Sequence, residues 1–361
     1  MRWLRTTIVI GFAIGLGIGY ACAGEFDSIL CWRNIGPYRG GRTRAVCGVA
    51  SQPNVFYMAP VNGGVFKSID YGRTWRPIFD DQPTASIGAI AVAPSNPSVV
   101  YVGSGEGLHR PDLSIGDGIY KSTDAGNTWT HLGLRNGQQI AQLVVDPKNA
   151  ERIFVAVAGH PYGPNEERGV YRSLDGGKTF EKVLYGDENV GASDVQIDLG
   201  NPQVVYAALW ESREAPWENG VFHGDGGGIF KSTDGGNTWR QLGKGLPGHI
   251  VQANIAIAAS TAKTLFAAVR TKTIAKLYRS DDGGETWNGP TDDPRPGLGI
   301  GGGDLPVVRF DPKNPQIVYS ASVVCWKSTD GGKTWDGWRG APGGDDYQNV
   351  WINPNNPDVI L

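Results

Sequence analysis

Residues 68–75 read Ser-Ile-Asp-Tyr-Gly-Arg-Thr-Trp, and the pattern Ser-x-Asp-x-Gly-x-Thr-Trp returns five more times along the chain. The further copies occupy residues 122–129, 173–180, 232–239, 280–287 and 328–335, with Phe180 in place of tryptophan in the third. Their starts are 54, 51, 59, 48 and 48 residues apart. Self-similarity at a period of about 50 residues indicates a repeat architecture, in which each unit is one supersecondary element.

A second recurring element precedes each box and is clearest in residues 311–319, Asp-Pro-Lys-Asn-Pro-Gln-Ile-Val-Tyr. The Asn-Pro pair marks a turn between two apolar strands. In the second unit these signals predict strand A at 87–92, strand B at 99–102, strand C at 118–122 and strand D at 128–132. Four short strands per repeat predict an all-β propeller of four-stranded blades.

The box aspartates are predicted to be structural. An aspartate in a tight turn accepts hydrogen bonds from nearby backbone N–H groups, and the glycine supplies backbone freedom. Catalysis does not need six equivalent carboxylates, so we assign the six a turn-stabilising role and expect the box tryptophan to pack into its own blade. The six residues are Asp70, Asp124, Asp175, Asp234, Asp282 and Asp330.

The overall composition excludes several classes of protein. The 361 residues include 53 glycines and 23 prolines without a Gly-X-Y period, which excludes collagen and argues against helix-rich folds. Aromatic residues make up 10% of the chain, which is too many for a disordered protein. The formal charge of -3 offers no basic surface for nucleic acid, so we expect no nucleic-acid partner.

The first 23 residues have the layout of a secretory signal. Arg2 and Arg5 precede an apolar run from Ile8 to Tyr20, and Ala21-Cys22-Ala23 forms an A-x-A cleavage site. The sequence therefore predicts cleavage near Ala23, a secreted or periplasmic protein without a membrane span, and a propeller domain over residues 24–361. An uncleaved anchor and lipidation at Cys22 remain alternatives.

Both ends of the propeller domain are predicted to fall within a blade. Residues 32–36 resemble the strand D that follows each box, while 347–353 resemble strand A and 358–361 begin a strand B. We therefore expect six complete blades and a truncated seventh, with the domain incomplete at its C-terminus. Cys31 and Cys47 are able to pair in an oxidising compartment, or they and Cys325 stay reduced and buried.

One face of the propeller is predicted to carry the ligand site. Antiparallel order places the A–B turns and the boxes at one end, here the bottom, and the long B–C insertions at 104–118, 159–169 and 210–228 at the top. Irregular loops on a rigid scaffold commonly carry function. Exposed aromatic rings beside arginines and carboxylates suit a polysaccharide or a peptide. The ligand-binding candidates are Arg39, Arg42, Asn62, His109, Arg110, His160, Tyr162, Trp210, Trp217 and His223.

The inner strands supply a second set of candidates. Aligned strand A residues that should face the central channel are Ala89, Gln142, Asp194, Asn254, Val307 and Asn349. Asp194 is the single acid in this set. If the protein is catalytic, Asp194 and Glu106 are the candidate carboxylates. No Gly-x-Ser-x-Gly elbow and no Cys/His metal spacing occur, so we expect neither cofactor nor metal.

The boxes are identified as Asp-box, or BNR, repeats. Together with Trp32-x-x-Ile-Gly-Pro37 and Gly40-Gly-Arg42, they make the chain similar to bacterial secreted proteins with a sortilin N-terminal-type propeller. It also resembles the xyloglucanases, glycoside hydrolases with two seven-bladed Asp-box propellers. In that family a catalytic aspartate lies in a Thr-Asp-Ile-Gly-Gly turn, and the matching stretch here is Pro60-Val-Asn62-Gly-Gly64. Asn62 cannot act as an acid or base.

Three functions are therefore open from the sequence. The first is a secreted propeller that binds an extended polysaccharide or polypeptide on its top face. The second is a xyloglucanase-like glycoside hydrolase whose catalytic pair is incomplete in this chain, and the third is a structural or assembly propeller.

Overall fold

A computed structural model describes residues 42–108, 110, 112–215, 218–300 and 304–361. Its strands form six antiparallel sheets in chain order, each a blade of a β-propeller. Blade 1 contains β1 (Thr43–Val49), β2 (Gln52–Pro60), β3 (Phe66–Ser68) and β4 (Arg76–Pro77). Blade 2 contains β5 (Ile87–Val92), β6 (Val100–Ser104), β7 (Ile119–Ser122) and β8 (Thr130–Gly133). Blade 3 contains β9 (Ile140–Asp146), β10 (Asn149–Val157), β11 (Gly169–Ser173) and β12 (Glu181–Leu184).

The remaining blades follow the same plan with two variations. Blade 4 contains β13 (Val190–Ile197), β14 (Val205–Ala215), the additional β15 (Glu218–His223), β16 (Gly228–Ser232) and β17 (Arg240–Leu242). Blade 5 contains β18 (Gln252–Ile257), β19 (Leu265–Arg270) and β20 (Ala275–Ser280), and a bridge between Arg279 and Asn288 takes the place of a fourth strand. Blade 6 contains β21 (Val307–Phe310), β22 (Val318–Ala321), β23 (Cys325–Ser328) and β24 (Asp336–Arg339). Short 3-10 helices span Arg135–Gly137 and Arg295–Gly297.

The predicted strands of the second unit are confirmed, with ends displaced by no more than two residues. The prediction was wrong for the insertion at 210–228, which is not an irregular loop. There β14 continues to Ala215 and folds back on β15, with Ser212 opposite His223. The insertion is therefore a β-hairpin that extends blade 4 at the top face.

Each box is a hydrogen-bonded turn with the same geometry. In the fourth, the Ser232 hydroxyl donates to Asp234 Oδ1 over 2.8 Å, and the Thr238 amide and hydroxyl donate to the two Asp234 oxygens over 2.9 and 2.6 Å. The residue after the aspartate has a left-handed φ in all six boxes, from 60° at Ala125 to 76° at Gly235. Glycine fills that place in four boxes, because the conformation costs other residues about 1 kcal/mol or more. The predicted structural role of the aspartates fits this geometry.

The hydrophobic core lies between the blades. Each of five buried clusters draws residues from two consecutive blades. Trp129 belongs to the box of blade 2 but packs in the cluster between blades 1 and 2, and its Nε1 donates to the Ile78 carbonyl over 2.7 Å. Trp287 and Trp335 occupy the equivalent places between later blades. The expectation that the box tryptophan packs into its own blade was therefore wrong, since the ring fills the space between two blades.

A cationic side chain joins each blade to the box of the next. The residue just before the box serine is lysine or arginine in all six boxes. In blades 1 to 5 it donates to the backbone carbonyl of the residue that follows the aspartate of the next box. Lys67 reaches Ala125 over 2.8 Å, Lys231 reaches Gly283 over 2.7 Å, and Arg279 reaches Gly331 over 3.0 Å. Lys121 and Arg172 make the same contact with Gly176 and Gly235. We call these five bonds the inter-blade cation contacts.

Residues 347–361 form a hairpin beside blade 1. Trp351 and Leu361 exchange two backbone hydrogen bonds of 2.9 Å, and the Asn349 amide donates to the Arg44 carbonyl over 3.1 Å. That these residues begin a seventh blade stays a prediction. Cys47 and Cys325 are free thiols, while Cys31, the strand predicted at 32–36 and the signal sequence at 1–23 lie outside the described residues.

We expect Lys231→Met to destabilise the protein by about 1–2 kcal/mol, because it removes a charge-assisted hydrogen bond from a mostly buried ammonium group. Lys327→Met is the matched control. Lys327 lies 5.4 Å above the Tyr319 ring, as Lys231 lies 5.5 Å above Tyr206, but it binds no box carbonyl among the described residues. Thermal unfolding of both variants of the 361-residue chain measures the difference. Equal losses would show that the carbonyl contact contributes nothing.

Acid should weaken the boxes. Hydrogen bonds from the box threonine lower the pKa of Asp70, Asp124 and Asp282 to about 2, against about 3.9 for an unfolded aspartate. A carboxylate whose pKa is lower in the folded than in the unfolded protein stabilises the fold when the pH is above the unfolded-state pKa. This stabilisation is lost as the pH falls to the folded-state pKa. We expect the melting temperature to fall between about pH 4 and pH 2, and to fall less steeply in Asp234→Asn. Asp345→Asn, at an exposed position outside the boxes, is the control, and its melting temperature should depend on pH as that of the wild type does. If the melting temperature of Asp234→Asn fell with pH as steeply as that of the wild type, the role of the box carboxylate would be contradicted.

Candidate functional site

The top face is organised by an ion pair between blade 1 and the insertion of blade 2. Arg42, at the start of blade 1, contacts Glu106 Oε2 over 2.9 Å and Asp112 Oδ2 over 3.5 Å. The Glu106 side chain is 0% exposed, and its other oxygen accepts from the Ser114 amide over 3.2 Å. Burial raises the pKa of Glu106, whereas the bonds from Ser114 and Arg42 oppose that rise. This carboxylate fixes the course of the insertion.

A glutamine that the sequence did not single out holds the same insertion from below. The side-chain oxygen of buried Gln139 accepts hydrogen bonds from the backbone amides of Glu106 and Gly107 over 2.6 and 2.8 Å, and its side-chain nitrogen donates to the Ser114 carbonyl over 3.0 Å. It lies just before strand β9, where a polar residue reads as an ordinary loop residue. No sequence signal distinguishes it.

The blade 2 insertion also contacts the loop that precedes blade 6. Arg110 Nε lies 3.3 Å from Asp304 Oδ2, and both side chains are largely buried. Because blades 2 and 6 are not neighbours in chain order, this ion pair carries the insertion across the top mouth of the channel. Asp304 was missed by the sequence analysis.

The insertions of blades 3 and 4 interlock. The Glu214 amide donates to the Pro161 carbonyl over 2.8 Å. Buried Arg168 donates to the carbonyls of His160 and Gly163 over 2.6 and 3.0 Å, and burial lowers its pKa to about 10. His160 is therefore held through its backbone, with a partly exposed side chain.

Tyr162 is the large exposed aromatic side chain at this junction, with 45% of its surface accessible. Its partial burial raises the pKa of its hydroxyl, and the nearby carboxylates of Glu214, Asp112 and Glu106 add to the rise. Those carboxylates come from the insertions of blades 2 and 4. The three insertions therefore converge around this ring.

Trp210 differs from its expected position. It was predicted as an exposed ligand-binding residue, but it is 5% exposed and packs against Ala141 and Ala158. The reason is that β14 extends through this residue, with Gly191 opposite it on β13. The backbone at Trp210 is thus part of the blade, and its ring fills the space beside blade 3.

Asn62 lies exposed at the top end of β2. Its φ of 58° is left-handed, which asparagine tolerates better than most residues. The preceding amide, of Val61, donates to the Arg42 carbonyl over 2.7 Å. Asn62 and Arg42 are therefore adjacent on the top face. Arg39, His109, Trp217 and the side chain of His223 lie outside the described residues.

All six predicted channel residues line a central cavity of about 340 Å³. Asp194 is 4% exposed, and its oxygens accept from the Ile255 amide over 2.6 Å and from Gln196 over 2.8 Å. Burial raises the pKa of Asp194, and the positive charges of Arg309 and Arg44 oppose that rise. The carboxylate is thus engaged in holding two neighbouring blades together.

Two structural features bear on metals and membranes. Within residues 42–361, apart from the gaps given above, no group of three or more His, Cys, Asp or Glu side chains is arranged to hold a metal ion. In the same part of the chain, no helix is long and apolar enough to span a membrane.

The BNR/Asp-box repeat family matches residues 278–288, which contain the fifth box. The chain is a β-propeller built on Asp-box repeats. A xyloglucanase from Hypocrea jecorina is 26% identical over 387 aligned residues, which cover 91% of this chain and 43% of that protein. The chain thus spans less than half the length of this relative.

Solved structures show the same fold. The GH74 xyloglucanase from Xanthomonas campestris superposes with a TM-score of 0.66 at 17% identity, over 91% of this chain and 51% of that one. YCF48 bound to D1 peptide superposes with a TM-score of 0.57 at 13% identity, over 88% and 89% of the two chains. At these identities the likeness shows the fold, and a fold does not decide between hydrolysis and binding.

We expect Glu106→Ala to lower the free energy of unfolding by about 1–3 kcal/mol, because it leaves buried hydrogen-bonding groups without their partner. Amide hydrogen exchange should rise within residues 104–118. Asp112→Ala is the control, since Asp112 meets the same arginine but is 64% exposed, where an ion pair contributes about 0–1 kcal/mol. Unchanged exchange in Glu106→Ala would show that the ion pair does not hold the insertion.

Proposed function

We propose that this chain is a propeller of the xyloglucanase-like glycoside hydrolase type, which binds a β-glucan across its top face. The observation that carries the proposal is the similarity to a xyloglucanase over 91% of the chain. This similarity favours the hydrolase alternative over the binding-only interpretation, which is not confirmed. Because the chain spans less than half of that relative, polysaccharide binding and hydrolysis are both part of the proposal.

The proposed binding surface is the meeting point of the three insertions. Tyr162 offers an exposed ring that can stack on a sugar face, and Arg42 with Asp112 offers polar groups at the edge. The ion pairs of Arg42 and Arg110 pre-order this surface, which lowers the entropic cost of binding an extended ligand.

Hydrolysis by the xyloglucanase type of mechanism requires a pair of carboxyl groups that flank the scissile bond. Asn62 stands where the resemblance places one of them, and an amide has no proton to donate at working pH. Glu106 and Asp194, the catalytic candidates, are buried in hydrogen bonds that link neighbouring elements. We therefore propose a hydrolase whose catalytic pair is incomplete within these 361 residues, so that this chain by itself binds polysaccharide without cleaving it.

The proposed ligand also bears on location. A polysaccharide of this class is met outside the cell, and the signal-like residues 1–23 support export. An extracellular location of this protein is thus part of the proposal, together with the polysaccharide ligand.

Affinity electrophoresis in gels that contain xyloglucan tests the proposal. We expect the wild-type chain to be retarded, and Tyr162→Ala to lose most of the retardation because the exposed ring at the junction is gone. Tyr71→Ala is the matched control: Tyr71 is 59% exposed on a box hairpin at the bottom, and alanine already occupies the equivalent turn position at Ala125.

Three results would count against parts of this proposal. Absence of retardation of the wild type in xyloglucan and in hydroxyethylcellulose would reject the β-glucan ligand. Equal losses in the two tyrosine variants would reject the top face as the site. Release of reducing sugar from xyloglucan by the wild-type chain would show that the catalytic pair is complete.

A further inference from the structure

The central channel carries more positive than negative charge. The guanidinium groups of Arg44 and Arg309 line the cavity together with one carboxylate, that of Asp194. Arg44 donates to the Gln348 carbonyl over 3.3 Å, and Arg309 donates to the Val308 carbonyl over 2.9 Å and to Asn349 Oδ1 over 3.2 Å. Neither arginine forms an ion pair with a carboxylate among the described residues.

Two cations beside one carboxylate in the cavity wall favour an anionic ligand. Both arginines line the cavity and are partly exposed, and desolvation by the surrounding residues lowers the pKa of each. Both Asp194 oxygens accept hydrogen bonds, from the Ile255 amide and from Gln196, and the negative charge of Asp194 offsets part of the charge of both arginines. Asp304, which pairs with Arg110, also acts on Arg44. A buried charge is stabilised by an opposite charge that comes with hydrogen bonds. An anion that reached Arg309 and Arg44 would supply both.

The lower end of the channel is apolar. A second cavity of about 340 Å³ lies at the A–B turns and shares Cys47, Arg309 and Trp351 with the central cavity, so the two are continuous. Leu199 stands at this lower mouth with 48% of its surface exposed. Other apolar residues of the mouth include Ile257, Phe310, Pro97, Pro147 and Pro312.

The two ends of the channel differ in access. The ion pair between Arg110 and Asp304 carries the blade 2 insertion across the top mouth. The lower mouth is formed by short turns between adjacent strands, and no insertion among the described residues covers it. A ligand that enters from below meets the apolar mouth first and the arginines further in.

We infer that the channel binds an alkyl carboxylate, with its carboxylate at Arg309 and Arg44 and its alkyl chain in the apolar lower mouth. The combined features are those of a small-molecule site: a cavity of a few hundred Å³, mostly apolar walls and a few convergent polar groups. An inorganic anion would leave the apolar mouth in water, and an alcohol would bring no negative charge to the arginines. The site opens opposite the top face and does not depend on the proposed function.

Isothermal titration calorimetry with octanoate, octan-1-ol and acetate tests this inference on the full chain. We expect octanoate to bind at least tenfold more tightly than octan-1-ol, which lacks the charge, and than acetate, which lacks the chain. Arg309→Gln should weaken octanoate binding at least tenfold. Arg73→Gln, at an exposed arginine on a box hairpin, is the matched control and should bind octanoate like the wild type.

Leu199→Asp provides a second variant if Arg309→Gln does not fold. Leu199 is exposed, so the change should leave the melting temperature nearly unchanged while a negative charge at the mouth weakens octanoate binding. No octanoate binding by the wild type, equal binding of octanoate and octan-1-ol, or unchanged octanoate binding in both Arg309→Gln and Leu199→Asp would each overturn the inference.

Discussion

The joints between blades depend on the carbonyl that five of the six Asp boxes present to the preceding blade. The box aspartate accepts hydrogen bonds from the serine hydroxyl, the threonine amide and the threonine hydroxyl within one turn. The next residue has a left-handed φ, and its own carbonyl faces the preceding blade. That carbonyl accepts the lysine or arginine of the previous blade, as Gly283 accepts Lys231. The hydrogen bonds that shape the turn therefore also position the joint between blades. A local motif of eight residues in this way determines how consecutive sheets meet.

Most of the fold was predictable from the sequence, because the box is local chemistry and repeats six times. The strands of each unit follow from alternation and turn residues, and the channel-facing residues follow from the shared register of the inner strands. What alternation does not reveal is which neighbour a side chain faces, and so Trp129 was expected to pack within its own blade, whereas it packs between blades 1 and 2. Trp210 was misplaced for a related reason: β14 extends through this residue, with Gly191 opposite it on β13, and its ring packs against Ala141 and Ala158.

The candidate site was predictable only in outline. Topology places the insertions at the top, but each contact among them joins individual residues whose positions do not follow the sequence repeat. The ion pair between Arg110 and Asp304 and the bond from Glu214 to Pro161 are of this kind. The role of Gln139 was not predictable for the same reason. In the sequence, a buried side-chain amide that holds a loop cannot be told apart from an ordinary polar loop residue, because its hydrogen-bond partners are not known. The convergence of these loops is a property of tertiary structure alone.

The position of the last hairpin beside blade 1 has a consequence for how the chain folds. Within blades and between consecutive blades, partners are close in sequence, so each new sheet forms on one already present at little entropic cost. Arg44 and Gln348 are separated by 304 residues, and their contact closes the ring from blade 1 to the final hairpin. The entropic cost of closing a flexible segment rises only slowly with its length, so a long segment costs little more than a shorter one. Contacts between residues far apart in sequence nevertheless lower the folding rate. Contacts between consecutive blades are therefore local in sequence, whereas the contact of Arg44 with Gln348 forms only when two distant parts of the chain meet.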